Sequence, residues 1–82
     1  MRWKMDYKIG QVVIAKAGRD KDGFFIITQL DGGFAFIVNG KNRKLERPKK
    51  KKLIHLAPTK TVVQGFRTNR EVVRILSKFH DM

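Results

Sequence analysis

Cysteine is absent from this 82-residue chain, which removes both a disulfide framework and any thiolate metal site. Small exported domains usually need such staples, so a reducing, cytoplasmic setting is expected. Long apolar runs are missing too. The longest, Phe34-Ala35-Phe36-Ile37-Val38, falls far short of the roughly 18 residues of a membrane span. No apolar segment follows the basic start Met1-Arg2-Trp3-Lys4-Met5-Asp6, as a signal peptide would require. No membrane partner is expected.

The residues that carry enzyme chemistry are equally scarce. Ser77 is the only serine and falls in a predicted helix, away from any base that would activate it. His55 and His80 lie in different elements without ligand-spaced neighbours, so no metal is expected. Asp20-Lys21-Asp22-Gly23 resembles part of a calcium loop, but Gly18 and Gln29 stand where that loop needs acids. No glycine-rich phosphate loop leads into a helix. The sequence predicts a protein that is not an enzyme and uses no cofactor.

Carboxylates are the last deficit: 7 Asp+Glu face 19 Lys+Arg, a net charge of +12. Such an imbalance strains a compact chain by self-repulsion and points to a polyanionic partner. The excess is concentrated. Residues 41–52 hold eight basic residues (Lys41, Arg43, Lys44, Arg47, Lys49, Lys50, Lys51 and Lys52) against Glu46 alone. On a polyphosphate, each neutralised phosphate would release counterions and add affinity without reading sequence. A solvated loop and a nuclear localisation signal are the competing readings of the run. Double-stranded DNA would satisfy the same charges as RNA.

What is present reads as one thin-cored domain; a chain this short buries only about 60% of its unfolded surface. Val12–Ala15, Phe24–Leu30 and Phe34–Val38 predict three strands. Gly18 to Gly23 and Asp31-Gly32-Gly33 read as turns between them. Asn39-Gly40 gives a two-residue hairpin signal, with Lys44-Leu45-Glu46 as a short fourth strand and Leu53–Ala57 as a fifth, ended by Pro58. Pro48 should keep its segment out of a central strand. Strand two is apolar in both phases, which requires cover on both faces. Residues 59–66 read as a connector. Thr68-Asn69-Arg70-Glu71 forms a capping box. Val72, Ile75, Leu76 and Phe79 follow at helical spacing, predicting a helix near 69–79. The strands suit a small barrel or sandwich, and the stripe is expected to cover one end of it; docking in a partner's groove or lying on a membrane surface are the competing readings. Arg67, Arg70, Arg74 and Lys78 would face outward.

The loop Lys16-Ala17-Gly18-Arg19-Asp20-Lys21-Asp22 supports two readings. A glycine-bounded loop brings backbone close to phosphate or sugar, and Arg19 can stack on a base or fork onto phosphate. An ordinary polar turn is the other. Among the aromatics, Phe24, Phe25, Phe34, Phe36, Phe66 and Phe79 are expected mainly to pack in the core, whereas Trp3 and Tyr7 precede the barrel and are the better stacking candidates.

The segment Ile9 to Ile27, with Gly18 in its loop, resembles a KOW motif, the strand-loop-strand unit of several ribosomal proteins and transcription factors. Val38-Asn39-Gly40-Lys41, Arg43-Lys44-Leu45-Glu46-Arg47-Pro48-Lys49-Lys50-Lys51-Lys52 and Ile54-His55-Leu56 extend the likeness. They look like a bacterial KOW-domain group similar to archaeal and eukaryotic large-subunit ribosomal proteins of the translation SH3-like barrel class. The resemblance covers about residues 7–58; the tail from Thr59 lies outside it.

That resemblance implies a mainly β, SH3-like barrel of about five strands over residues 1–58. Residues 59–82 then add a connector and a helix to the same domain. It also implies binding of structured RNA, above all ribosomal RNA, with ribosomal proteins as further partners. Gly18 falls on the motif glycine, and Lys16, Arg19 and Lys21 fall in the loop that the group places against RNA. Similar members often carry glycine four residues after the motif glycine; here Asp22 stands there with Gly23 next, which raises a one-residue shift of the loop. A protein-interaction module using the barrel or the helical stripe is the alternative function. The sequence does not specify an oligomeric state.

Overall fold

A computed structural model of the chain describes residues 7–80. It is mainly β, with one sheet of five antiparallel strands ordered β4-β3-β2-β1-β5 and a C-terminal helix. The strands are β1 (Gln11–Ala15), β2 (Phe24–Asp31), β3 (Phe34–Val38), β4 (Lys49–Lys52) and β5 (Leu56–Val62); α1 spans Asn69–His80. A single 3-10 turn, Leu53–His55, carries the chain from β4 to β5 at the opposite edge. This is the expected mainly β, small barrel-like domain of five strands with one C-terminal helix.

Alternation along the central strands divides the apolar residues between two clusters. Inside the curled sheet lie Val13, Ala15, Phe25, Ile27, Ala35, Ile37 and Leu56, together with Tyr7. On the outer face, Val12, Ile26 and Val38 meet Val72 and Leu76 of α1. Strand two is therefore apolar in both phases because the barrel interior covers one face and the helix the other. The helix lies on the outer sheet face rather than at an end of the barrel. Two bulges bend the sheet, one between Gln11 and Val13 and one between Ile27 and Gln29. The Thr59 hydroxyl donates to the Val12 carbonyl at 2.7 Å beside the first. The Thr28 hydroxyl donates to Phe36 at 3.2 Å across the second.

The capping box forms as expected. Glu71 N–H donates to Thr68 Oγ1 at 3.1 Å, and Glu71 Oε1 accepts from the Thr68 and Arg67 amides at 3.0 and 2.6 Å. Those two amides hold the Glu71 carboxyl below its ordinary range.

Three expectations fail, each for a local reason. Asn39-Gly40 does not close a two-residue hairpin; it opens a long loop from Asn39 to Pro48. Asn39 Oδ1 accepts the Lys41 and Arg43 amides at 3.0 and 2.9 Å, which folds the chain back on itself. Gly40, at φ +79°, sits so close to α1 that a Cβ there would lie 2.5 Å from the Asn69 carbonyl oxygen. Lys44-Leu45-Glu46 is not a strand. Leu45 turns into the outer cluster, its amide donates to Asn69 Oδ1 at 2.8 Å, and Asn69 Nδ2 donates to Glu46 at 2.9 Å. The fourth strand is the lysine run itself. The fifth begins at Leu56 and runs through Pro58 to Val62, so the connector starts four residues later than expected. Proline is tolerated because β5 is an edge strand.

Candidate nucleic-acid interface

The loop between β1 and β2 is built by its own backbone. Ala15 and Gly23 close it, with Ala15 N–H on the Gly23 carbonyl at 3.0 Å and Asp22 N–H on the Ala15 carbonyl at 2.7 Å. Gly18 takes φ +80° and Asp22 takes φ +72°. Asp22 thus adopts the left-handed conformation that glycine supplies most easily. Lys16, Gly18, Arg19 and Lys21 are all exposed.

Two contacts fasten this loop to the basic segment. Asp20 accepts from Arg43 Nη2 at 3.1 Å, with side-chain exposures of 6% for Asp20 and 26% for Arg43. Lys51 Nζ donates to the Ala17 carbonyl at 2.8 Å. Residues separated by more than twenty positions in sequence thus share one surface. The same contacts change the roles of two expected binding residues. Arg43 is a clamp: its charge is partnered by Asp20, and its Nε is buried without a partner. Lys51 supports the loop from below, close enough to Gly18 that a Cβ there would meet its ammonium at 3.2 Å.

The lysine run is split by the pleat. Cross-strand partners share a face, so Lys49 and Lys51 lie on the side of Ile37 and Ala35, and Lys50 and Lys52 on the side of Phe36 and Phe34. This is why four consecutive lysines can form a strand: adjacent charges point to opposite faces. On an edge strand they also block pairing with another chain. The remaining cations lie in the 39–48 loop. Lys44 and Arg47 are exposed and flank an open depression of about 340 Å³ with Asn42 and Glu46. Lys41 instead lines a hollow of about 160 Å³ against Val73, Leu76 and Ser77 of α1, below the usual size of a small-molecule pocket.

The structure therefore brings together Lys16, Gly18, Arg19 and Lys21 with Arg43 and Lys51, and sets Lys49 on the Lys51 side of β4. It separates Lys50 and Lys52 from them, and puts Lys41 beside the helix. Arg70, Arg74 and Lys78 are exposed along α1, as expected.

The aromatic expectations are revised. Tyr7 is buried in the barrel interior, where its hydroxyl donates to the Leu56 carbonyl at 2.9 Å and burial pushes its pKa up; it is no stacking platform. Trp3 lies outside the described residues. Phe34 and Phe36 are only half-buried and join neither apolar cluster. Sequence reasoning assigned them to the core. The alternation of β3 could have separated them, since Ala35 and Ile37 occupy the other phase. His55 is in the 3-10 turn, and its carbonyl accepts the Lys16 amide at 2.8 Å. Among the described residues no cluster of His, Cys, Asp and Glu could hold a metal ion, and no helix is long and apolar enough to cross a membrane. Compared with known protein families and with curated proteins, the chain matches none.

Proposed function

We propose that this protein binds structured RNA by its phosphate backbone, through a surface built from the Gly18 loop and the basic segment beside it. The observation that carries the reading is the pair of contacts, Arg43 to Asp20 and Lys51 to Ala17, that fastens the loop to that segment. In this reading Lys16, Arg19 and Lys21 neutralise phosphates from the loop, and Lys44, Arg47 and Lys49 do so beside it. Gly18 allows close approach of the backbone. Arg43 and Lys51 hold the surface in shape. Phosphate contacts position a nucleic acid without specifying bases, so recognition follows the shape of the RNA. The likeness to the KOW group supports ribosomal RNA as the target, a cytoplasmic setting and ribosomal proteins as neighbours.

Purification tests this directly. A protein with net charge +12 that binds RNA should emerge with excess absorbance at 260 nm, removed by ribonuclease and high salt but not by deoxyribonuclease. Nucleic-acid-free protein that fails to shift a structured RNA in a low-salt titration would refute the proposal. An adaptor function has less support, because α1 spends its apolar stripe on the sheet, and among the described residues the exposed large apolar ones are Ile9, Ile54 and Val62. Single exposed apolar residues of this kind are ordinary.

A further inference from the structure

We infer a second nucleic-acid site on the outer face of the β3–β4 hairpin, where Phe34 and Phe36 form a stacking platform for unpaired bases of single-stranded RNA. This rests on the proposal that the protein binds RNA but uses different residues, on the side of β4 opposite to Lys49 and Lys51.

Phe34 and Phe36 stand on one face of β3, about 7 Å apart by strand geometry. Helix α1 shelters the neighbouring Val38 in the same phase but not these rings. Their cover is a cation. Lys50 Nζ lies 4.7 Å from the Phe34 ring centre and 5.9 Å from that of Phe36. A lysine over a ring is held by the ring quadrupole, weakly at an exposed site. It also contacts Asp31 at 3.9 Å, with both side chains about half exposed or more. The cover is therefore easily displaced.

The rim supplies what a nucleotide needs besides a stacking surface. Lys52 pairs across from Phe34 and shares its face; Gln29 pairs across from Phe36 and is exposed. A base laid on Phe36 displaces Lys50 from the rings towards the adjoining phosphate. Lys52 meets the next phosphate, and the Gln29 amide reaches a base edge. Base–aromatic stacking tolerates any sequence because every base has a π face. Asp31 opposes the site by its charge.

The test compares a short single-stranded oligoribonucleotide of mixed sequence, the same strand with central abasic positions, and an RNA duplex. Binding is read by fluorescence anisotropy to wild type and to a Phe34→Leu/Phe36→Leu variant whose fold is checked by circular dichroism. Leucine keeps the apolar bulk and removes the ring. The variant should bind the single strand about ten-fold or more weakly, with an unchanged salt slope and unchanged duplex binding. Wild type should lose a similar factor on the abasic strand, an arm that does not depend on the variant folding. Ultraviolet cross-linking of wild type to the single strand should map to the peptide holding Phe34 and Phe36.

Several results overturn the inference while leaving the phosphate surface intact. One is equal binding of intact and abasic strands; another is duplex binding without single-strand binding. A third is a glutamate-rich peptide that binds with the same dependence on Phe34 and Phe36, since the occupant would then be a protein. Failure to bind any of the three RNAs removes both readings.

Discussion

Asp20 and Arg43 make the sharpest prediction about the architecture of the surface. Both charges leave water when the loop closes, but unequally: the Asp20 side chain is 6% exposed and that of Arg43 26%. Removing one partner of a buried pair costs about 3–5 kcal/mol when the survivor is fully desolvated. Arg43→Met strands the better-buried charge and should cost about 3 kcal/mol, near the lower end of that range. Asp20→Ala strands a guanidinium that water still reaches and should cost only about 1.5–2 kcal/mol, the low end for a hydrogen bond to a charged group. The double variant should show a coupling energy of about 1–3 kcal/mol. Each kcal/mol lowers Tm by about 4–8 °C in a domain of this size, so melts and urea titrations resolve the difference easily. The coupling should also survive high salt, because a desolvated pair is screened little. Equal costs for the two single variants, adding to the double within about 0.5 kcal/mol, would mean that the pair is not a clamp.

Other outcomes follow from single residues. Asp22 holds φ +72°, a conformation costing about 1–2 kcal/mol outside glycine. Asp22→Gly relieves that and gives back about 0.5–1 kcal/mol in chain entropy, so it should leave Tm unchanged or raise it. Asp22→Val should lower it by several degrees. At the helix start, Thr68→Ala should cost about 1 kcal/mol by urea denaturation. The Arg67 and Thr68 amides hold the Glu71 carboxyl below its ordinary, unfolded-chain value. Its contribution is present above that unfolded value and is lost as pH falls through the lower folded value. Glu71→Gln should therefore be less stable than wild type at neutral pH, with the gap narrowing in acid.

Much of the scaffold was legible because hydrophobic alternation and capping chemistry act locally. The two-phase run Phe24–Leu30 announced cover on both faces, and Thr68 with Glu71 announced the helix start. The lysine strand was hidden because lysine has little strand preference and a charge run reads as a solvated loop. Its pairing with β3 depends on contacts far along the chain. Asn39-Gly40 misled for the same reason: its turn chemistry was right, but Asn69 and α1 decided what the turn led to. Of the candidate site, charge and motif named the residues. They gave no hint that Arg43 and Lys51 would turn inward to hold the loop, or that pleating would divide Lys49 and Lys51 from Lys50 and Lys52.

The central claim is that the Gly18 loop and the segment beside it act as one phosphate-binding surface. The measurement that tests it most directly is the salt dependence of RNA binding, taken for wild type, for Lys16→Ala/Arg19→Ala/Lys21→Ala, and for Lys44→Ala/Arg47→Ala/Lys49→Ala. With about six phosphates neutralised, wild type should show a log–log slope of roughly −4 to −5 on a structured RNA. Each triple variant should weaken binding and flatten the slope by about 2 to 3. A wild-type slope near zero, or a slope that neither variant changes, would contradict the account.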